Sequence, residues 1–187
     1  MVAFTPNRGY PYSQGSDPAD AAGAIQALAE AIDVDMQNLD DSIIRRPFAA
    51  VRSVSAEKQV FPSETLTEAT YDFVEADTAG ISNLTNFPTR LTPTSAGFWL
   101  VWGAIEVPLA QSRTKDVFLR KNGVDITRYE QHINDPTGTG GQMMTLAAMA
   151  FMNGTTDYFT MTFEPDQASS DYKIGNKRLA AFRLTNS

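Results

Sequence analysis

The chain has one histidine, His132, and no cysteine. One imidazole cannot supply a multi-histidine metal site, and a Ser-His-Asp relay would have to be built on His132 alone. We expect His132 to face solvent at the end of a strand. Without cysteine there are no thiolate metal sites and no disulfides. Glycoside hydrolysis needs two carboxylates placed across one bond, and no spacing selects such a pair among the 22 acids. The adjacent Asp40 and Asp41 fall in an acidic helical stretch, where a solvated face accounts for them. Asp135, Asp166 and Asp171 are loop acids whose oxygens suit Ca²⁺, but they lack EF-hand spacing. Gly138-Thr139-Gly140-Gly141 is not followed by a helix carrying Lys-Ser/Thr, so it does not read as a phosphate cradle. Asn83-Leu84-Thr85 and Asn153-Gly154-Thr155 match glycosylation acceptors, which matter only in a secreted chain. Met1 precedes a polar stretch rich in Pro and Gly, so no secretory signal is expected. The sequence therefore predicts no catalytic centre, no cofactor and no resident metal, in a non-enzymatic protein.

With chemistry set aside, charge and apolar pattern carry the reading. Seven acids and no base lie between Asp17 and Asp41, which leaves the other 15 acids against all 15 bases. Neither part offers the basic face of a nucleic-acid binder. The longest apolar run, Leu146–Met152, is far too short to span a membrane. Residues 1–16 combine turn-forming Pro and Gly with aromatics. They read either as a tail or as an extended anchor leader that lays Phe4, Arg8, Tyr10 and Tyr12 against another protein. Residues 17–46 read as an amphipathic helix. Asp17 can cap it, Pro18 suits the first turn, and Pro47 prevents continuation. Its apolar stripe is Ile25, Leu28, Ile32, Met36, Leu39 and Ile43, at spacings of three and four, with Ala29 on the same face. The stripe packs either on its own domain or on copies of itself or a larger particle.

From residue 47 to 187 the segments are short, β-branched and aromatic, with turn signals between them, which predicts a mainly β domain. Lys121-Asn122-Gly123-Val124 predicts a type I′ hairpin. Val117–Arg120 and Tyr158–Phe163 alternate, as strands with one wet face do. Gly97–Ile105, Gln142–Met152 and Leu179–Phe182 do not. No charge occurs from Leu91 to Ile105 or from Pro136 to Thr156. A partner sheet covers one face of such strands in a sandwich, and the second face needs another cover. That cover is either another copy of the chain or the N-terminal helix. A buried helix is the rival reading of Met143–Met152, because Met, Leu and Ala favour helix. The flanking Gly140-Gly141 and Asn153-Gly154 favour a strand.

The order of GFWLVWGAIEV, KDVFLRKNGVDI, QMMTLAAMAFM, NGTTDYFTMTFEP and LAAFRLTNS resembles the C1q/TNF-like jelly roll. The resemblance covers residues 47–187 and implies an antiparallel jelly-roll β-sandwich that trimerises through its inner sheet. On that reading the candidate interface residues are Phe98, Leu100, Trp102 and Phe182 with Met144, Leu146 and Ala148. Some jelly rolls of this kind hold Ca²⁺ near the trimer axis. The N-terminal part, with its Pro/Tyr-rich start and LAEAID helix, resembles the leader of virion proteins of tailed phages of actinobacteria. That resemblance implies a homotrimer bound to other virion proteins through residues 1–46, with β domains displayed outward and a host cell-surface glycan as a candidate ligand. A minor tail or receptor-binding protein leads. A capsid decoration or head-fibre protein is the alternative, and a glycan-processing tail enzyme is the alternative of another class.

Overall fold

The computed structural model describes residues 2–4, 11–13, 21–43, 46–108, 114–132, 140–165 and 172–184. The chain divides into two compact units, Met1–Arg46 and Pro47–Ser187. In the first unit β1 (Val2–Phe4) pairs antiparallel with β2 (Pro11–Ser13), and α1 spans Ala21–Ile43. The sequence did not predict this small pairing. Pro11 opens its strand, where a missing N–H is tolerated. The expected cap at Asp17 and Pro18 lies outside the described residues.

The second unit is two antiparallel sheets. One has the order β11-β8-β14-β3-β6, built from β3 (Phe48–Arg52), β6 (Phe73–Asp77), β8 (Ala96–Pro108), β11 (Gly141–Asn153) and β14 (Lys177–Arg183). The other runs β10-β9-β12-β5, with β7 also on β12. Its strands are β5 (Thr67–Glu68), β7 (Arg90–Leu91), β9 (Thr114–Lys121), β10 (Val124–His132) and β12 (Phe159–Pro165). A separate pair joins β4 (Gln59–Phe61) to β13 (Tyr172–Ile174). The apolar Met143–Met152 stretch is a strand. It keeps unbroken register with β8, from Gly141 opposite Pro108 to Asn153 opposite Ala96. The two-residue β5 has no readable apolar pattern and was not expected.

The alternating strands place their odd residues inward. Val117 and Leu119 of β9 and Phe159, Met161 and Phe163 of β12 meet Trp99, Val101, Ile105 and Leu179 of the opposite sheet in one core. Phe163 sits edge-on to both Phe61, at 5.4 Å, and Tyr172, at 5.8 Å. A Cβ on Gly103 would stand 2.9 Å from Leu119 Cδ2 and Met161 Sδ, so the large side chains of the facing sheet occupy its place. The other side of β9 and β12, expected to be wet, is covered as well: Asp116, Phe118, Thr160 and Thr162 are all buried. Arg128 forks onto Asp116 at 2.9 and 2.8 Å and pairs with Glu130 at 2.9 Å. The β9–β10 turn is the expected type I′, with positive φ at Asn122 (51°) and Gly123 (79°).

Both chain ends of this unit emerge at one end of the sandwich. Arg183 N donates to Pro47 O at 3.0 Å, and Phe182 pairs with Phe48. Asp157 fastens that end. Its carboxylate accepts from Asn122 Nδ2 at 2.7 Å, Asn153 N at 2.9 Å and Lys121 Nζ at 2.9 Å. Asn153 Oδ1 in turn accepts the N–H groups of Thr155, Thr156 and Asp157. This hydrogen-bonded clasp ties the β9–β10 hairpin of one sheet to the β11–β12 turn of the other.

Candidate assembly face

The outward side of the β11-β8-β14-β3-β6 sheet is built from rows of side chains across the strands. Register places Met149, Leu100, Phe182 and Phe48 in one row. Ala147, Trp102, Ala180, Ala50 and Ala76 form the next. Phe151 lies beside Phe98 with ring centroids 5.6 Å apart. Charge enters only towards the far end and the β3–β6 side. There Arg52 pairs with Glu75 at 2.8 Å, Arg178 stands 4.0 Å from Glu75, and Asn176 Nδ2 donates to Glu106. An apolar centre with a charged rim is the anatomy of a protein interface.

Met149 is 68% exposed, Met143 52%, and Phe98 and Phe151 51% each. Large apolar side chains gathered this way mark interaction surfaces on soluble proteins. The strand that carries most of them, β11, is also the edge of its sheet. It has 13 residues and no charge. An uncharged edge that long is a template for unwanted pairing unless something covers it.

Family models and curated protein sequences give no match to this chain. Solved structures do. The globular domain of zebrafish complement 1qA aligns with a TM-score of 0.51 at 9% identity, over 76% of this chain and 99% of that one. The crystal structure of murine APRIL at pH 5.0 aligns with a TM-score of 0.55 at 9% identity, over 74% and 99%. The fold is a C1q/TNF-like jelly roll. At this identity the likeness concerns the fold alone.

Within the jelly roll the predicted interface residues divide by strand parity. Phe98, Leu100, Trp102 and Phe182 lie on the outward face. Met144, Leu146 and Ala148 point the other way, into the sandwich, where Met144 and Leu146 belong to the core and Ala148 packs against it. Their outward places on β11 are held by Met143, Thr145, Ala147, Met149 and Phe151. Strand side chains alternate with a period of two, so a one-residue error in phase exchanges the faces completely. In β8 the single charge, Glu106, shares parity with Phe98 and Trp102 and marks the wet side. Strand β11 carries no charge on either face, so nothing in it marks the phase.

The N-terminal candidates are described in part. Phe4 and Tyr12 lie on the paired strands β1 and β2, while Arg8 and Tyr10 lie outside the described residues. On α1, Ile25 is 68% exposed, Ile32 42% and Met36 61%, and Leu28 is half-buried. Leu39 lies within the helix. His132 is a surface residue whose Nε2 stands 2.9 Å from Glu130, with Thr114 Oγ1 2.8 Å from its Nδ1. Among the described residues no three His, Cys, Asp or Glu side chains converge on a metal-sized space. Asp135, Asp166 and Asp171 lie outside the described residues. Asn153 of the second acceptor triplet is occupied as the cap of its own turn.

Proposed function

We propose that this chain is a non-enzymatic structural protein of a tailed-phage virion. It forms a homotrimer through the outward face of the β11-β8-β14-β3-β6 sheet, is fixed to the particle by residues 1–46, and turns its jelly rolls outward as a minor tail or receptor-binding protein does. The observation that carries the trimer is the exposed, uncharged face centred on β8 and β11, which needs a cover on an edge strand of this length. The C1q/TNF-like fold supports it, because the resemblance implies assembly through this same sheet. The virion reading rests on the resemblance of the leader and on the exposed stripe of α1. Mass photometry at micromolar concentration tests the assembly. Particles of three times the 20.5 kDa chain mass are expected, and a purely monomeric distribution overturns it. Immunogold labelling of purified phage particles tests the location, with label expected on the tail.

A further inference from the structure

At the end of the sandwich remote from Pro47 a cleft of about 610 Å³ opens to solvent. It lies between the segment that follows β3 and the turn joining β13 to β14. Three cations line it, Arg52, Lys58 and Lys173, against one carboxylate, Glu106. Arg52 is held by Glu75 at 2.8 Å, and Glu106 is engaged by Asn176. Lys58 and Lys173 are exposed and have no carboxylate partner among the described residues. This is a local excess of positive charge on a chain whose net charge is −7.

A second cavity of about 360 Å³ shares Arg52, Ser53 and Asn176 with the first, and Lys177 lines it. Lys177 is only 2% exposed. Its ammonium donates to Ile174 O at 3.3 Å, one bond of the three it can make. Lys115, fully buried nearby, donates to Pro108 O at 2.6 Å. Neither ammonium has a carboxylate within ion-pair distance among the described residues. Buried ammonium groups are ordinarily paired, because an isolated charge in a protein interior is costly. Asp72 acts on Lys177 through space, but its oxygens accept the N–H groups of Val54 at 2.6 Å and Ser55 at 2.8 Å. Among the described residues the partial compensation is aromatic, with Lys115 Nζ 5.0 Å from the Tyr172 ring centroid and Lys177 Nζ 5.9 Å from that of Phe61, which leaves room for an anion at this end.

We propose that the cleft binds an anion, and that its ligand is the carboxylate or phosphate group of an acidic polysaccharide. Lys58 and Lys173 make first contact, and Lys177 adds an underlying positive charge. The lining between the cations includes the hydroxyls of Ser53 and Ser55 and the amide of Asn176, with Val54, Ala56 and Pro108 as its apolar part and no aromatic side chain. That suits a hydrated, hydroxyl-bearing chain rather than a flat apolar ligand. The volume lies within the ordinary range of ligand sites. The assignment rests on the cleft alone and holds whether or not the sheet face trimerises.

Isothermal titration of the full-length protein at low salt tests it, with trigalacturonate and poly(glycerol phosphate) as charged probes and maltotriose as the neutral one. Saturable binding of a charged probe is expected, weakening with added salt and falling at least tenfold in the Lys58→Gln/Lys173→Gln double variant. Both substituted side chains are exposed, and an unchanged melting temperature checks that the variant is folded. A response to trigalacturonate assigns a uronate polymer, and one to poly(glycerol phosphate) a phosphodiester polymer. No saturable binding of either, equal binding of maltotriose, or undiminished binding in the double variant overturns the site.

Discussion

Met149 and Ala148 are neighbours in sequence and opposites in environment. Met149 is on the outward face at 68% exposure, and Ala148 packs against the core. Met149→Asp should therefore leave the jelly roll folded and abolish assembly at micromolar concentration. Ala148→Asp should destabilise the fold itself by about 3 kcal/mol, because it drives an unpaired carboxylate towards the core. Sedimentation velocity and thermal melting of the two variants separate the effects. Residue chemistry also sets a pH dependence. Burial pushes Lys115 and Lys177 down from 10.5 to about 8. Between those values the unfolded chain binds more protons than the folded one, so stability rises with pH there, and the full penalty is present below 8. Melting temperature should increase between pH 7.5 and 9.5, by about 2–4 °C for each kcal/mol regained in a domain of this size. The Lys115→Met/Lys177→Met double variant should flatten that rise.

Elements were legible wherever the pattern had a marker. Asn122-Gly123 announced its turn because only a few residues accept positive φ. The alternation of β9 and β12 picked out the core-facing parity because charge and hydroxyl fell on the other, but that other face is not wet: Phe118, Thr160 and Thr162 are buried. Strand β11 gave its type through its flanking glycines and withheld its phase, which is why Met144, Leu146 and Ala148 were expected on the wrong side. The basic cleft was not legible at all. Arg52, Lys58, Lys173 and Lys177 come from β3, the loop beyond it and the β13–β14 region, and only the sheet order brings them together. The Asp157 clasp was hidden for the same reason. Burial raises this carboxyl, but hydrogen bonds from Lys121, Asn122 and Asn153 outweigh it and hold the group below the usual 3.8. Its contribution is present above that value and is lost as pH falls through its lower folded value. Asp157→Ala should cost about 2 kcal/mol at pH 7, since it leaves Asn153 N and Asn122 Nδ2 without their acceptor, while Lys121 keeps Phe151 O. The deficit relative to wild type should shrink on acidification below about pH 4, as read by urea denaturation.

The whole molecule joins a unit with an exposed helical stripe to a jelly roll with an exposed sheet face. Removing residues 1–46 should leave a folded jelly roll that still assembles but no longer enters particles. Far-UV circular dichroism, mass photometry and an incorporation assay check the three parts, and retained incorporation would place the anchor elsewhere. The chain enters at Pro47 directly into β3, which lies between β14 and β6 rather than at an edge. A pull applied through that entry, and resisted by whatever is held in the cleft at the opposite end, acts along the strand axis. Ladder hydrogen bonds run across that axis, so the pairs on both flanks of β3 are sheared together instead of peeled one after another. A head loaded in this direction resists tension far better than its thermal stability alone would suggest, and it would give way first if the same force were applied across the free edge of β11.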